Sequence, residues 1–88
     1  MHFMVIEKFR HGNPQPVFDR YEERGHMLPD GLLLRKGWVT ADMRCCYQVM
    51  ETEDPALITE WIKVWDDLAD FEVVRLSATM TPPAVTPA

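Results

Sequence analysis

The sequence lacks the features that identify secreted and membrane proteins, namely spaced cysteines, long apolar runs and a basic segment at the start. Cys45 and Cys46 are its only cysteines and are adjacent, so the chain lacks the cysteine spacing of a secreted disulfide scaffold. No apolar run approaches the roughly 18 residues that a membrane-spanning helix needs. Glu7 interrupts the apolar stretch near the start, and no basic segment precedes that stretch, which argues against a secretory signal. We therefore expect neither a secreted nor a membrane protein.

Basic residues are also scarce. The chain has 9 Lys and Arg against 14 Asp and Glu, a net charge of −5. Binders of nucleic acids and anionic membranes usually carry the opposite sign, because their affinity comes from neutralising phosphates. With 47% apolar residues in a chain of 88, we expect a small cytoplasmic domain with its own core and no nucleic-acid or membrane partner.

The proline distribution divides the chain. Three of the seven prolines fall between residues 81 and 88, where there is no charge. Proline extends neither a helix nor a β-ladder, so we predict one domain over residues 1–78 and a mobile proline-rich tail over residues 79–88. A docking peptide is the alternative interpretation of this tail.

The same helix-start signal occurs twice. Asn13-Pro14 and Asp54-Pro55 each follow an extended stretch and precede a helical pattern. An Asn or Asp side chain caps the free N–H groups of a helix, and proline fits the first helical position because no N–H is needed there. We predict one helix from here to about Gly25 and a second that runs to about Leu68.

Four extended stretches surround these helices. They are His2 to Arg10, Leu32 to Ala41, Arg44 to Glu51 and Phe71 to Ala78. Asp42-Met43 is short enough to make the second and third stretches a hairpin. The order β-α-β-β-α-β predicts an α+β, ferredoxin-like fold, in which a four-stranded antiparallel sheet carries two helices on one face.

The second helix has the clearest apolar face. Its apolar residues lie within about 160° of arc at 100° per residue. They are Leu57, Ile58, Trp61, Ile62, Val64, Trp65 and Leu68. We expect this face to anchor the core.

Two helices leave one face of the sheet uncovered. Neither face of the predicted strands is polar, so the uncovered face should expose contiguous apolar side chains, namely Met4, Ile6, Leu34, Trp38 and Met50. Monomers rarely expose such a surface. We therefore predict a homodimer through the open sheet face.

Glu7 is the candidate catalytic residue. It alternates with Phe3, Val5 and Phe9 on an otherwise apolar face, where loss of water would raise its pKa as in a general base. Arg35 and Tyr47 have the matching parity on other strands, and Trp61 would form a wall, so we predict a ligand site of Glu7, Arg35, Tyr47 and Trp61. The alternatives are a structural Glu7–Arg35 ion pair and a bulge that turns Glu7 outward.

Other reactive side chains give weaker signals. Neighbouring residues of a strand point to opposite faces, so Cys45 and Cys46 should not share a metal, and they are expected as small apolar fillers. The histidines at positions 2, 11 and 26 have no partner at ligand spacing. We predict neither a metal site nor a cofactor.

Several segments resemble known families. They are Met1-His2-Phe3-Met4-Val5, Gly37-Trp38-Val39-Thr40-Ala41, Met50-Glu51-Thr52-Glu53-Asp54, Glu60-Trp61 and Trp65-x-Asp67-Leu68-x-x-Phe71-Glu72-Val73. The first resembles the opening strand of antibiotic-synthesis-type and haem-degrading monooxygenases of the dimeric α/β-barrel superfamily. The others resemble a bacterial family of unknown function, over about residues 1–77.

This resemblance implies the dimeric α/β-barrel fold and a pocket between sheet and helices, with a polar residue at the end of the first strand, where Glu7 lies. Haem-degrading members also use a histidine of the second helix as iron ligand. Residues 55–69 contain none, so haem is not expected.

Two functions stay open from the sequence. The first is a homodimer of unknown function that binds a small organic ligand between sheet and helices. The second is a cofactor-independent monooxygenase- or isomerase-like enzyme, which requires Glu7 to face a cavity of about 300 Å³ or more under the second helix.

Overall fold

A computed structural model describes residues 1–77 of the chain. The strands are β1 (His2–Phe9), β2 (Leu33–Val39), β3 (Cys45–Glu51) and β4 (Ala69–Leu76), and the helices are α1 (Gln15–Arg24) and α2 (Ala56–Lys63). A short 3₁₀ turn, Arg10–Gly12, joins β1 to α1. The predicted tail, residues 79–88, lies outside the described residues.

The four strands form one antiparallel sheet in the order β2-β3-β1-β4. With the element order β-α-β-β-α-β, this is the α+β, ferredoxin-like arrangement predicted from the sequence. The chain crosses from β1 to β3 through α1 and β2, which leaves β1 and β3 in the centre of the sheet. Side chains that point inward from these two strands are therefore the most enclosed.

Both helix starts use the predicted caps. The side-chain oxygen of Asn13 accepts a hydrogen bond from the backbone N–H of Gln15 at 3.1 Å. Asp54 does the same for Ala56 at 3.0 Å. At the other end of α1, Gly25 has a φ of 72°, a positive value that glycine adopts readily, and its N–H donates a hydrogen bond to the carbonyl of Tyr21.

The second helix is shorter than predicted. It ends at Lys63, and residues 64–68 continue as tight turns in which Trp65 N–H bonds the Ile62 carbonyl and Leu68 N–H bonds the Trp65 carbonyl, both at 2.9 Å. These turns keep the chain winding, so Trp65 still reaches the core beside Trp61. β4 then begins at residue 69, two residues before its predicted start.

One face of the sheet carries the core. Residues 3, 5, 7 and 9 of β1 are buried on this face, together with Gln48 and Met50 of β3. Their apolar members belong to one cluster with Val17 of α1, Ile58 and Trp61 of α2, and Trp65 of the turns after α2. We call this the covered face.

The other face carries Met4, Ile6, Tyr47 and Val49 in its centre, and we call it the open face. The register corrects two of the predicted exposed residues. Met50 lies opposite Phe3 and is 0% exposed, and Leu34 lies opposite Met50, so both belong to the covered face. The physical reason is that alternation along a strand separates its side chains into two sets but does not show which set meets the helices. The pairing with neighbouring strands decides that.

Within residues 1–77, neither helix is long and apolar enough to cross a membrane.

Candidate functional site

A cavity of about 260 Å³ lies between the covered face and the helices. The central strands form its base through Glu7, Cys46 and Gln48, and aromatic side chains from both helices and from the loop after α1 form its walls. Glu7 faces the cavity, as the enzyme hypothesis requires, but the volume is slightly below the roughly 300 Å³ that this hypothesis also requires.

Glu7 owes its position to the alternation of β1. Its neighbours in the sheet are Cys46 of β3 and Phe71 of β4, and only 5% of the residue is exposed. The Gln48 amide donates a hydrogen bond from Nε2 to Glu7 Oε1 at 3.1 Å. Burial raises the pKa of Glu7 to about 7, and the Gln48 hydrogen bond offsets part of that rise. A carboxyl group in this state can both accept and donate a proton near neutral pH.

The tryptophans of the cavity wall are fixed by one carbonyl. The indole Nε1 groups of Trp61 and Trp65 both donate to the backbone oxygen of His26, at 2.8 Å and 3.4 Å. The His26 ring lies against Tyr21, with ring centroids 4.5 Å apart. The loop after α1 is thereby tied to α2, and the wall is held in a defined position.

A salt bridge holds α1 against the turn after α2. Both terminal nitrogens of Arg20 bond the Asp67 carboxylate at 2.7 Å, and one of them also bonds the Val64 carbonyl at 2.8 Å. The Arg20 guanidinium holds the pKa of Asp67 below its usual range. This clamp fixes the outer side of the wall that Trp65 forms.

Two further titratable groups in the cavity stay neutral near pH 7. Burial raises the pKa of the Cys46 thiol to about 11, and the neighbouring Glu7 carboxylate adds to that rise. Burial also lowers the pKa of His26. Cys46 is therefore a poor nucleophile, and Glu7 is the side chain of this site suited to proton transfer.

The structure brings two of the four predicted ligand residues together. Glu7 and Trp61 both line the cavity. Arg35 lies at an irregularity in the pairing of β2, and its guanidinium bonds Glu51 at 2.6 Å, so the predicted Glu7–Arg35 ion pair is absent from the described residues. Tyr47 pairs with Ile6 and Trp38 on the open face and is 38% exposed.

Sequence reasoning missed Gln48, His26 and the walls formed by Phe18 and Tyr21. Gln48 has the parity of Met50, so its place beside Glu7 follows once the register is known. His26 follows α1 in a segment without periodicity, and no sequence pattern pointed to it. Nowhere in residues 1–77 do three or more His, Cys, Asp or Glu side chains form a group that could hold a metal ion.

Comparison with known proteins gave one match. The model of a family described as "Domain of unknown function (DUF3303)" matches residues 1–80. No curated protein and no solved structure matches the chain.

Proposed function

The chain belongs to the DUF3303 family, and we propose that it is a homodimer that binds a small organic molecule in the cavity between sheet and helices. The observation that carries this proposal is the buried carboxyl group of Glu7 at the base of a cavity with aromatic walls. An ionisable group that is kept in apolar surroundings costs folding energy. Such groups concentrate at functional sites.

The size of the cavity limits the ligand. An apolar cavity of about 150 Å³ accommodates benzene, and drug-sized ligands occupy about 300 to 1,000 Å³. At about 260 Å³, the cavity suits a molecule of about one ring with a short substituent. Apolar walls favour an apolar body, and Glu7 and Gln48 favour one polar group at its end.

The three tryptophans allow a direct test by NMR. The indole N–H groups of Trp61 and Trp65 lie at the cavity, whereas Trp38 is on the open face. Indole signals assigned through Trp→Phe variants should report on a fragment library of one-ring compounds. Ligands of the cavity should shift the Trp61 and Trp65 signals and leave that of Trp38 in place.

The matched variants are Val17→Trp, which fills the cavity from α1, and Thr59→Trp, which adds the same side chain on the exposed side of α2. Only the first should abolish the shifts. A library in which no compound moves the Trp61 or Trp65 signals would contradict the proposal.

The open face supports the homodimer. Its apolar side chains are contiguous across all four strands, and the most exposed are Leu33 at 48%, Trp38 at 47% and Val74 at 41%. Monomers rarely leave such a patch in water. A second copy of the same face would cover it around a two-fold axis.

Charge on the open face also suits self-association. The chain as a whole carries −5, but this face balances three positive and three negative groups: Lys8, Arg35, Lys36, Glu51, Asp70 and Glu72. Lys36 Nζ lies 5.1 Å from the centroid of the Trp38 ring. Two such faces would meet without net repulsion.

Sedimentation at micromolar concentration tests the dimer. Tyr47→Glu places a carboxylate in the centre of the open face, and Thr59→Glu places one on the exposed side of α2. Since central interface residues contribute 2 kcal/mol or more, we expect Tyr47→Glu to weaken association by about 30-fold or more. Thr59→Glu should not affect it. A wild-type chain that sediments as a monomer would overturn this part.

A second candidate function is proton-transfer catalysis, an isomerase-like or cofactor-independent monooxygenase-like reaction. It is favoured by the position of Glu7, which is 5% exposed at the base of the cavity, because burial there raises the pKa of its carboxyl to about 7. In an isomerisation Glu7 would take a proton from one ligand carbon and return it to another. In an oxygenation Glu7 would take a proton from a CH₂ group of the ligand and return it to the hydroperoxide that this carbon forms with molecular oxygen. Loss of water from the hydroperoxide would leave a carbonyl group, so one oxygen atom stays on the ligand and the other leaves as water.

Deuterium exchange distinguishes this candidate from simple binding. A cavity ligand with an acidic C–H bond should exchange it for deuterium in D₂O in the presence of the protein. Glu7→Gln should bind the ligand and stop the exchange, and Glu60→Gln, on the exposed side of α2, should not change it. Binding without exchange would contradict proton-transfer catalysis and would support ligand binding as the function.

A cytoplasmic location is part of the proposal. Both Cys45 and Cys46 are free thiols, which fits a reducing compartment.

A further inference from the structure

We propose that the ligand of this cavity is an organic cation of about one ring in size, whose ammonium group lies against Glu7 and whose body lies among the aromatic walls. This inference rests on the proposed ligand-binding function and adds the chemical class. It is carried by two features of the described residues: a buried carboxyl group without a cationic partner, and the aromatic side chains around it.

The missing cationic partner is the first feature. Within residues 1–77, the hydrogen bond from Gln48 is the single polar contact to the Glu7 carboxyl, and no Lys or Arg lines the cavity. The nearby Arg20 is already paired with Asp67. The other titratable groups that line the cavity are Tyr21 of α1, His26 after α1 and Cys46 of β3, and none of them carries a positive charge at neutral pH, because burial favours the neutral His26 ring.

The composition of the walls is the second feature. Six of the lining residues have aromatic rings: Phe9, Phe18, Tyr21, His26, Trp61 and Trp65. The face of an aromatic ring attracts cations within about 6 Å of its centroid, and the attraction grows when water is excluded. The Trp65 ring already makes such a contact with a cation of the protein itself, because the Arg20 guanidinium lies 5.8 Å from the centroid of the ring.

Other ligand classes fit less well. An anion would meet the Glu7 carboxylate without a compensating cation, in a chain of net charge −5. A neutral donor would gain a hydrogen bond to Glu7 and nothing more. An ammonium group would gain a hydrogen bond in which both partners are charged, the attraction of the opposite charges, and the attraction of the rings.

A matched pair of ligands tests the charge alone. Benzylammonium and benzyl alcohol have nearly the same shape and differ in the charge of the polar group. Isothermal titration calorimetry at about pH 8 should give benzylammonium at least about tenfold tighter binding, because only the ammonium adds the attraction between opposite charges to the hydrogen bond.

Proton linkage sharpens the test. Burial raises the pKa of Glu7 to about 7, so at about pH 6 the carboxyl must lose its proton before it can form an ion pair with an ammonium group. The advantage of benzylammonium should therefore fall by about tenfold from pH 8 to pH 6. The binding heat at about pH 6 should also depend on the ionisation enthalpy of the buffer, because a proton is released.

Two variants locate the effect. Glu7→Gln keeps the shape of the side chain and should remove the preference for benzylammonium, while binding of benzyl alcohol persists. Glu60→Gln removes a carboxylate from the exposed side of α2, which belongs neither to the cavity lining nor to the open face, and should retain the preference.

The possible outcomes separate this inference from the proposed function. If benzyl alcohol binds as tightly as benzylammonium to the wild-type chain, or if Glu7→Gln keeps the preference, the cation assignment is wrong and the cavity remains a ligand site. If neither compound shifts the Trp61 and Trp65 indole signals at millimolar concentration, the assignment fails together with the cavity as a one-ring site.

Discussion

The two faces of this sheet are built from the same strands and do opposite things with polar residues. On the covered face, Glu7 and Gln48 are the two buried polar side chains of the strands, and they bond each other. On the open face, charged groups are numerous, exposed and balanced in sign. Polar residues on the covered face are thus few and placed at a cavity, whereas those on the open face surround an apolar centre.

This difference indicates two separate roles. A buried carboxyl group with one hydrogen bond costs stability in the folded chain, and its position at a cavity points to a ligand. A mixed face with exposed aromatic side chains is typical of a surface that meets another protein surface. The contrast can be tested one face at a time.

The largest expected effect concerns the tryptophans of the two faces. Trp65 is 2% exposed, so Trp65→Ala should lower the free energy of unfolding of the chain by about 3–5 kcal/mol. Trp38→Ala on the open face should cost less than about 1 kcal/mol in the monomer. Urea denaturation measures both.

Protein concentration adds a second reading of this pair. If the chain dimerises, the effect of Trp38→Ala should grow with concentration, because association stabilises the folded state, and that of Trp65→Ala should change little. A Trp65→Ala chain as stable as the wild type would mean that this residue contributes nothing to the core.

The next effect concerns Glu7 and pH. Burial raises the pKa of Glu7 from 4.5 to about 7, so between these pH values the folded chain holds a proton that the unfolded chain has released. The contribution of Glu7 to the free energy of unfolding is therefore fully present below pH 4.5 and is lost as the pH rises to about 7. Over this range the chain loses up to about 3 kcal/mol of stability.

Glu7→Gln should remove this loss and be more stable than the wild type at about pH 8. Glu60→Gln, on the exposed side of α2, should keep the wild-type slope. Since other carboxyl groups also titrate, the quantity to compare is the difference between each variant and the wild type across pH, from urea denaturation. A Glu7→Gln chain with the wild-type slope would show that Glu7 is not buried in solution.

The smallest effect concerns a helix cap. Asp54→Ala removes the side-chain acceptor at the start of α2 and should cost about 1 kcal/mol. Because α2 covers one face, hydrogen exchange of the Trp61 and Trp65 indoles should quicken and that of Trp38 should not. Asp30→Ala, an exposed change before β2, is the matched control. Equal quickening at all three tryptophans would mean that the faces do not loosen separately.

Much of the fold could be predicted from local signals. The caps at Asn13 and Asp54, the hairpin around Asp42-Met43 and the apolar side of α2 depend on residues near each other in the chain. The structure confirms them, except that the hairpin connection spans residues 40–44 and that Val64 of the predicted apolar side is 36% exposed. The end of α2 was predicted five residues late, because residues 64–68 keep an apolar pattern while their backbone tightens into turns.

The site was half predictable. Glu7 was identified because a charge interrupts an apolar alternation within one strand, and Trp61 because it lies on the apolar side of one helix. Arg35 and Tyr47 were assigned by parity across strands, and there the irregularity in β2 and the β1–β3 register changed the answer.

The sequence by itself determined the order and type of the elements, since alternation, helical periodicity and capping act over a few residues. Only the tertiary structure decided which face of each strand meets the helices, because a shift of one residue in register exchanges the faces. That choice placed Met50 and Gln48 inside and Tyr47 outside. It also left Glu7 with an amide, in place of a guanidinium, as its hydrogen-bond partner.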